Sequence, residues 1–200
     1  MMESYQIGKE QQGIDNTVFT ARIIWRDIIT WLRQYLIVKT INADVELQQE
    51  TTNALLLRAE NFGDMIRTFF GDKAAEVYLE LFSEYIKLLI SLIDALAEGN
   101  SSKADEIVKQ VYQNDGQRIE FLAGLNPYWE KNTLENYIYT FTNMLVQEML
   151  AFTSKEYKNS ISIHNRILSY STSLSDFIAQ GINDYFTYSI RPSTGLLSDE

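Results

Sequence analysis

Apolar residues recur along this chain at spacings of three and four over long, rarely interrupted stretches, the period of amphipathic helices. Ile24, Ile28, Trp31 and Tyr35 mark a first helix, expected from a cap at Asn16 or Thr17 to about Asn42. Leu55, Leu56, Ala59, Phe62, Ile66 and Phe69 mark a second, opening after Asp44 and stopping at Gly71. The third is expected from Asp72, read as its cap, to Gly99. Its residues 86–93 are apolar on nearly every side, which places it at the centre of the fold. Ser101 or Ser102 caps a fourth helix carrying Val108, Tyr112, Ile119 and Leu122, and it must end before Asn126 because the residue ahead of Pro127 disfavours helical geometry. Asn132 caps a fifth through Leu134, Ile138, Phe141, Leu145, Glu148 and Phe152, and a sixth runs from Asn159 to about Tyr185.

Every connection is short, so successive helices should lie antiparallel. The expectation is an all-α, up-and-down bundle of about six helices over residues 16–188, with a ferritin-like or four-helix-bundle-like core. Residues 1–15 read as a flexible N-terminus and 189–200 as a loose tail. Strand-prone residues 137–142 sit inside a helical pattern without flanking turn residues, and burial overrides local propensity there.

Two segments share the spacing Asn-x-Gly-x-x-Ile: Asn61, Gly63 and Ile66 in the second helix, and Asn114, Gly116 and Ile119 in the fourth. Each precedes an aromatic-rich turn and a long helix, which suggests a duplicated helix pair. A mid-helix glycine costs about 1 kcal/mol against alanine, so two at matching positions call for close helix approach, or for asparagines aimed into a shared pocket.

Composition then removes whole classes of function. There are 27 acidic against 17 basic residues, a net charge of −10, and such a chain is repelled by phosphate backbones and anionic lipid. Nucleic acid and membrane are therefore not expected partners. With no cysteine and one histidine, thiol nucleophiles, thiolate zinc sites and multi-imidazole metal sites are excluded, among them the Glu-x-x-His pairs of di-iron bundles. Serine nucleophiles lack a base other than His164, and no Gly-x-Ser-x-Gly elbow or phosphate-cradling glycine loop is present. No catalytic residue, metal or cofactor is assigned. The polar start, residues 1–13, lacks a signal-peptide pattern, and Arg26, Asp27, Arg33, Lys87 and Asp94 interrupt the most apolar runs, so a cytoplasmic chain without a transmembrane helix is expected.

Candidates remain in two groups. Asp27, Glu84, Glu148 and Asp176 lie among apolar neighbours, where a carboxylate must be paired, protonated or metal-bound. Arginine pairing is the simpler reading; convergence in the bundle would make an all-carboxylate metal site. The aromatics, three Trp, twelve Tyr and ten Phe, fall largely on helix faces. Most are core, yet Trp25, Tyr85, Phe141 and Tyr170, with Trp31 nearby, could line a ligand pocket between the first, third, fifth and sixth helices.

Residues 25–31, 70–75 and 81–85, Asn114 with residues 119–122, and residues 126–129 together resemble an uncharacterised family of helical-bundle proteins from spore-forming Gram-positive bacteria, over about residues 19–187. The resemblance implies the fold and no nameable activity. In that family histidines tend to occupy the positions of Asp27, Tyr85, Phe141 and Tyr170, and this chain departs at all four. The reading at this point is a non-catalytic binding or interaction protein, homodimeric or with an unidentified protein partner. A carboxylate-based metal protein, or a degenerate ferritin-like metalloenzyme, and a small-molecule binder stand as alternatives.

Overall fold

In a computed structural model that describes residues 2–189, with side chains from Asn16 onward, the chain forms the expected all-α, up-and-down bundle. Its helices are α1 (Met2–Thr40), α2 (Val45–Phe70), α3 (Asp72–Ala97), α4 (Ser101–Leu125), α5 (Lys131–Thr153) and α6 (Tyr157–Asp184), and a π-helical turn, Tyr185–Ser189, follows. Each helix packs on its sequence neighbours, and α6 returns against α1 to close a ring; α1, α3 and α5 also meet one another across its middle. The central place predicted for the third helix follows, with Phe82, Tyr85, Ile86, Leu89, Leu92 and Ile93 all fully buried on it.

The helix ends show where local chemistry differs from the expectation. Asp44 caps α2 as expected, its Oδ1 accepting from the Leu47 amide at 2.9 Å. Gly71, at φ 84°, both stops α2 and takes the cap position of α3, so Asp72 is the first helical residue rather than the cap. Asn100 displaces Ser101 and Ser102 as the cap of α4, accepting from Lys103 N at 3.1 Å. Glu130 displaces Asn132 at α5 because its two oxygens reach two free amides at once, Asn132 N at 3.0 Å and Thr133 N at 2.7 Å. The α6 helix starts two residues early, at Tyr157. The largest departure is α1, helical from Met2 through the expected start at Asn16 or Thr17 and through the segment read as flexible. No proline stands in that stretch, and Gly8 and Gly13 each weaken a helix by only about 1 kcal/mol. The tail at 190–200 lies outside the described residues.

Two buried side chains, Asn126 and Trp129, tie the α4–α5 connection to α6. Asn126 is extended ahead of Pro127, donates from Nδ2 to the Gly181 carbonyl at 2.9 Å and accepts from Tyr128 N at 3.0 Å. Trp129 donates its indole N–H to the Ile178 carbonyl at 3.0 Å. Both backbone acceptors lie in the last turns of α6, so the proline turn is tied to the opposite end of the chain.

Candidate functional site

The structure scatters the four carboxylates. Asp27, on the α1 surface, meets Arg58 of α2 at 3.5 Å, and that guanidinium also lies 5.8 Å from the ring of Trp31. Asp176 forms a bidentate pair with Arg22, both oxygens at 2.7 Å, in solvent. Glu84 is exposed on α3. Only Glu148 is buried, and its partners are Arg33 and His164. Among the described residues no group of three or more histidine or carboxylate side chains is placed to hold a metal. Arginine pairing, the simpler sequence reading, accounts for Asp27, Glu148 and Asp176.

The predicted aromatic pocket is filled by its own walls. Trp25 meets Phe141 edge-on at 4.9 Å, Phe62 at 5.5 Å and Phe82 at 6.1 Å, and Phe82 in turn packs on Tyr85 at 5.9 Å. Trp25, Tyr85 and Phe141 are therefore core. Tyr170 lies apart from them on α6, its ring 5.6 Å from Tyr137 and its hydroxyl donating to the Asn136 carbonyl at 3.2 Å. The two asparagines also separate in role. Asn114 is buried, donating to the Leu81 carbonyl at 2.9 Å and accepting from Arg118 Nε at 3.0 Å, while Asn61 is half-buried on α2. The paired glycines differ: a Cβ at residue 63 would stand 3.3 Å from Leu79 Cβ, as close helix approach requires, whereas at residue 116 it would meet only the Tyr139 hydroxyl, at an ordinary 3.6 Å.

Two polar clusters emerge that sequence reasoning did not assemble. The first is enclosed between α3, α4 and α5. Arg118 is ion-paired to Asp115 and bonded to Asn114, and its guanidinium carbon lies 3.8 Å from the centre of the Tyr85 ring. Tyr85 shares a 2.9 Å hydrogen bond with Thr142. Burial pushes the Asp115 carboxyl above its ordinary range, and Arg118 opposes that rise. Burial also raises Tyr78, beside this cluster, to about 12. Asp115, Arg118, Tyr85 and Thr142 are all at most 1% exposed, so the cluster holds helices together and is closed to substrate.

The second cluster spans α1, α5 and α6. Glu148 Oε1 accepts from Arg33 Nη1 at 2.5 Å and lies 2.9 Å from His164 Nδ1; Arg33 Nη1 also donates to Ser160 Oγ at 2.7 Å and lies over the Phe152 ring. A carboxylate only accepts, so this contact places the proton on Nδ1 of the neutral ring and leaves Nε2 with the lone pair. Ser160 is bonded to Arg33 rather than to His164, so these residues do not form a serine nucleophile with its base.

The outer face of α5 and α6 carries open hollows. One, of about 730 Å³, is lined by Thr140, Met144, Asn165, Arg166, Ser169 and Tyr170 among others. It adjoins a hollow of about 680 Å³ at Ser162 and one of about 300 Å³ at Arg166, and these last two share Glu156 and Asn159. Together they make a shallow, open trough from Ser173 to the α5–α6 turn at Lys155; its helical part, from Tyr157 to Ser173, rises about 24 Å at 1.5 Å per residue. Leu150, Tyr157 and Ile161 stand exposed near its lower end at 46%, 48% and 54%. Lys155, Lys158 and Arg166 are exposed and make no ion pair among the described residues. Of the residues singled out from sequence as site candidates, only Tyr170 lines this trough. A hollow of about 310 Å³ between α1 and α2 is lined by Asn16, Thr17, Thr20, Met65, Thr68 and Phe69, with no ionisable group.

The signal that points to the trough is an absence of acid. Residues 136–173 contain two acidic residues, Glu148 and Glu156, against Lys155, Lys158 and Arg166, in a chain whose net charge is −10. No family model, curated protein or solved structure matches the chain.

Proposed function

We propose that this protein is a non-catalytic interaction module that receives a partner polypeptide along the α5–α6 trough. The observation that carries the reading is the trough itself: a shallow, open, hydroxyl- and amide-rich strip with apolar residues at its edge. An acidic protein surrounds it. The two polar clusters described above are held in structural pairs, Asp115 with Arg118 and Glu148 with Arg33 and His164. A cytoplasmic setting is consistent with a cysteine-free composition, and no helix among the described residues is long and apolar enough to cross a membrane. The likeness to helical proteins of spore-forming bacteria supports the bundle and adds no activity. A second copy of the chain is one partner that fits the reading, as a homodimer.

Affinity capture with the wild-type chain and with Ser169→Trp, which projects a bulky ring into the trough, tests this. The expected result is at least one protein, or a second copy, retained by wild type and by the control Glu84→Gln on α3, and lost with Ser169→Trp. Identical captured sets for all three would sink the reading.

A further inference from the structure

Resting on that interaction reading, we infer that the trough is specific for an acidic, amphipathic segment of its partner, whose carboxylates meet Arg166, Lys158 and Lys155 and whose apolar side chains seat beside Tyr170 and Leu150. Three observations converge on it. The three cations are exposed and unpaired among the described residues, and the only carboxylate among the trough's lining residues is Glu156. Glu156 itself accepts from Asn159 Nδ2 at 3.1 Å, which turns it towards its own helix. Lys158 and Arg166 stand eight residues apart on α6, about 12 Å at 1.5 Å per residue, and Lys155 precedes them in the α5–α6 turn, an extended array suited to several carboxylates on one segment rather than to one anion.

The surrounding charge selects the class of ligand. A net charge of −10 repels extended polyanions and anionic bilayers, which cannot approach the trough without also facing the acidic surface beyond it. A short peptide confines its charge within about a Debye length, 8–10 Å at ordinary salt, of the cations it meets. The half-exposed Leu150 and Tyr157 supply the apolar contacts that a phosphate backbone does not use.

The test is selection from a random twelve-residue peptide display library on the full-length protein, with counter-selection on the triple variant K155E/K158E/R166E. Thermal melts check that the variant is folded; Arg166→Gln serves alone where it is not. Enriched peptides are expected to carry net negative charge with interspersed apolar residues, to lose at least tenfold in affinity on the charge-reversed variant, and to weaken as salt rises. Neutral or basic enriched peptides, or acidic ones indifferent to the three cations, would overturn the inference. Tighter binding of phosphatidylglycerol vesicles or of a single-stranded oligonucleotide than of any selected peptide, lost with the same variant, would overturn it too. A partner that is lost with Ser169→Trp yet bound equally by the charge-reversed variant leaves the trough as an interaction surface and removes only its acidic specificity.

Discussion

The indole of Trp129 occupies the space that a side chain at residue 181 would need: a Cβ built on Gly181 collides with the Trp129 ring. Trp129 is 1% exposed and bonded to Ile178, and Asn126 bonds the Gly181 carbonyl, so neither side has room to retreat. Gly181→Ala should therefore destabilise, although alanine favours a helix interior by about 1 kcal/mol. Overpacking of this kind costs about 1–3 kcal/mol. Urea unfolding should show a lower midpoint for Gly181→Ala and, for its combination with Trp129→Leu, a loss smaller than the two single losses added together; a rise in midpoint for the single variant would contradict the packing described.

Asp115 and Arg118 should be coupled far more strongly than a surface pair at the same spacing. Both are within 1% of complete burial, so removing one leaves an uncompensated charge in the core. Asp115→Ala and Arg118→Met are each expected to cost about 3–5 kcal/mol, and the double variant less than the two added together. A double-mutant cycle by chemical denaturation reads this directly. Additive costs would mean that the two groups do not share the buried site.

The six helices were legible because their apolar periodicity is long and has few breaks, and the cap at Asp44 because an acidic side chain stands alone before the first turn. The caps at Asn100 and Glu130 were missed for a geometric reason. Several polar residues compete at those ends, and the path of the entering backbone decides which oxygen reaches a free amide. Asp115 and Arg118 share the i, i+3 spacing of a solvent-facing ion pair, so nothing in their spacing reveals that α3 and α5 close over them. The trough was half-legible. The scarcity of acid over residues 136–173 stands in the sequence, but Trp25, Phe141 and Tyr170 look alike as helical aromatics until packing puts two in the core and one at the surface.

Tyr78 makes the fold sensitive to alkali. Burial raises its hydroxyl from an ordinary value near 10 to about 12, so the folded state keeps the neutral phenol while the unfolded chain ionises. For an acid raised in the fold, the associated stability is complete below pH 10 and is lost as pH climbs from 10 through 12. Two units correspond to about 3 kcal/mol. Comparing urea unfolding of wild type and Tyr78→Phe across that window cancels the other titrating groups. The wild type should lose stability relative to the variant by roughly that amount, about 3 kcal/mol; parallel pH profiles would exclude a buried Tyr78 hydroxyl as the cause.

Glu148 should govern both the stability of the α1–α5–α6 seam and the state of the chain's single histidine. Its side chain is 5% exposed and Arg33's is 14%, so Glu148→Ala leaves a largely buried guanidinium with Ser160 as its remaining hydrogen-bond partner. The expected cost is about 3 kcal/mol, towards the lower end for a broken buried pair because Arg33 keeps some access to water. Glu148→Gln retains an acceptor and should restore part of it. The histidine supplies a readout that a general loss of packing does not move. In the neutral ring the carboxylate holds the proton on Nδ1, so long-range proton–nitrogen NMR of His164 should report the Nδ1-protonated tautomer in wild type and a shift towards the Nε2 form, which predominates in free histidine, in Glu148→Ala. An Nε2-protonated ring in the wild type would show that Glu148 does not orient it, and the seam would then rest on Arg33 alone.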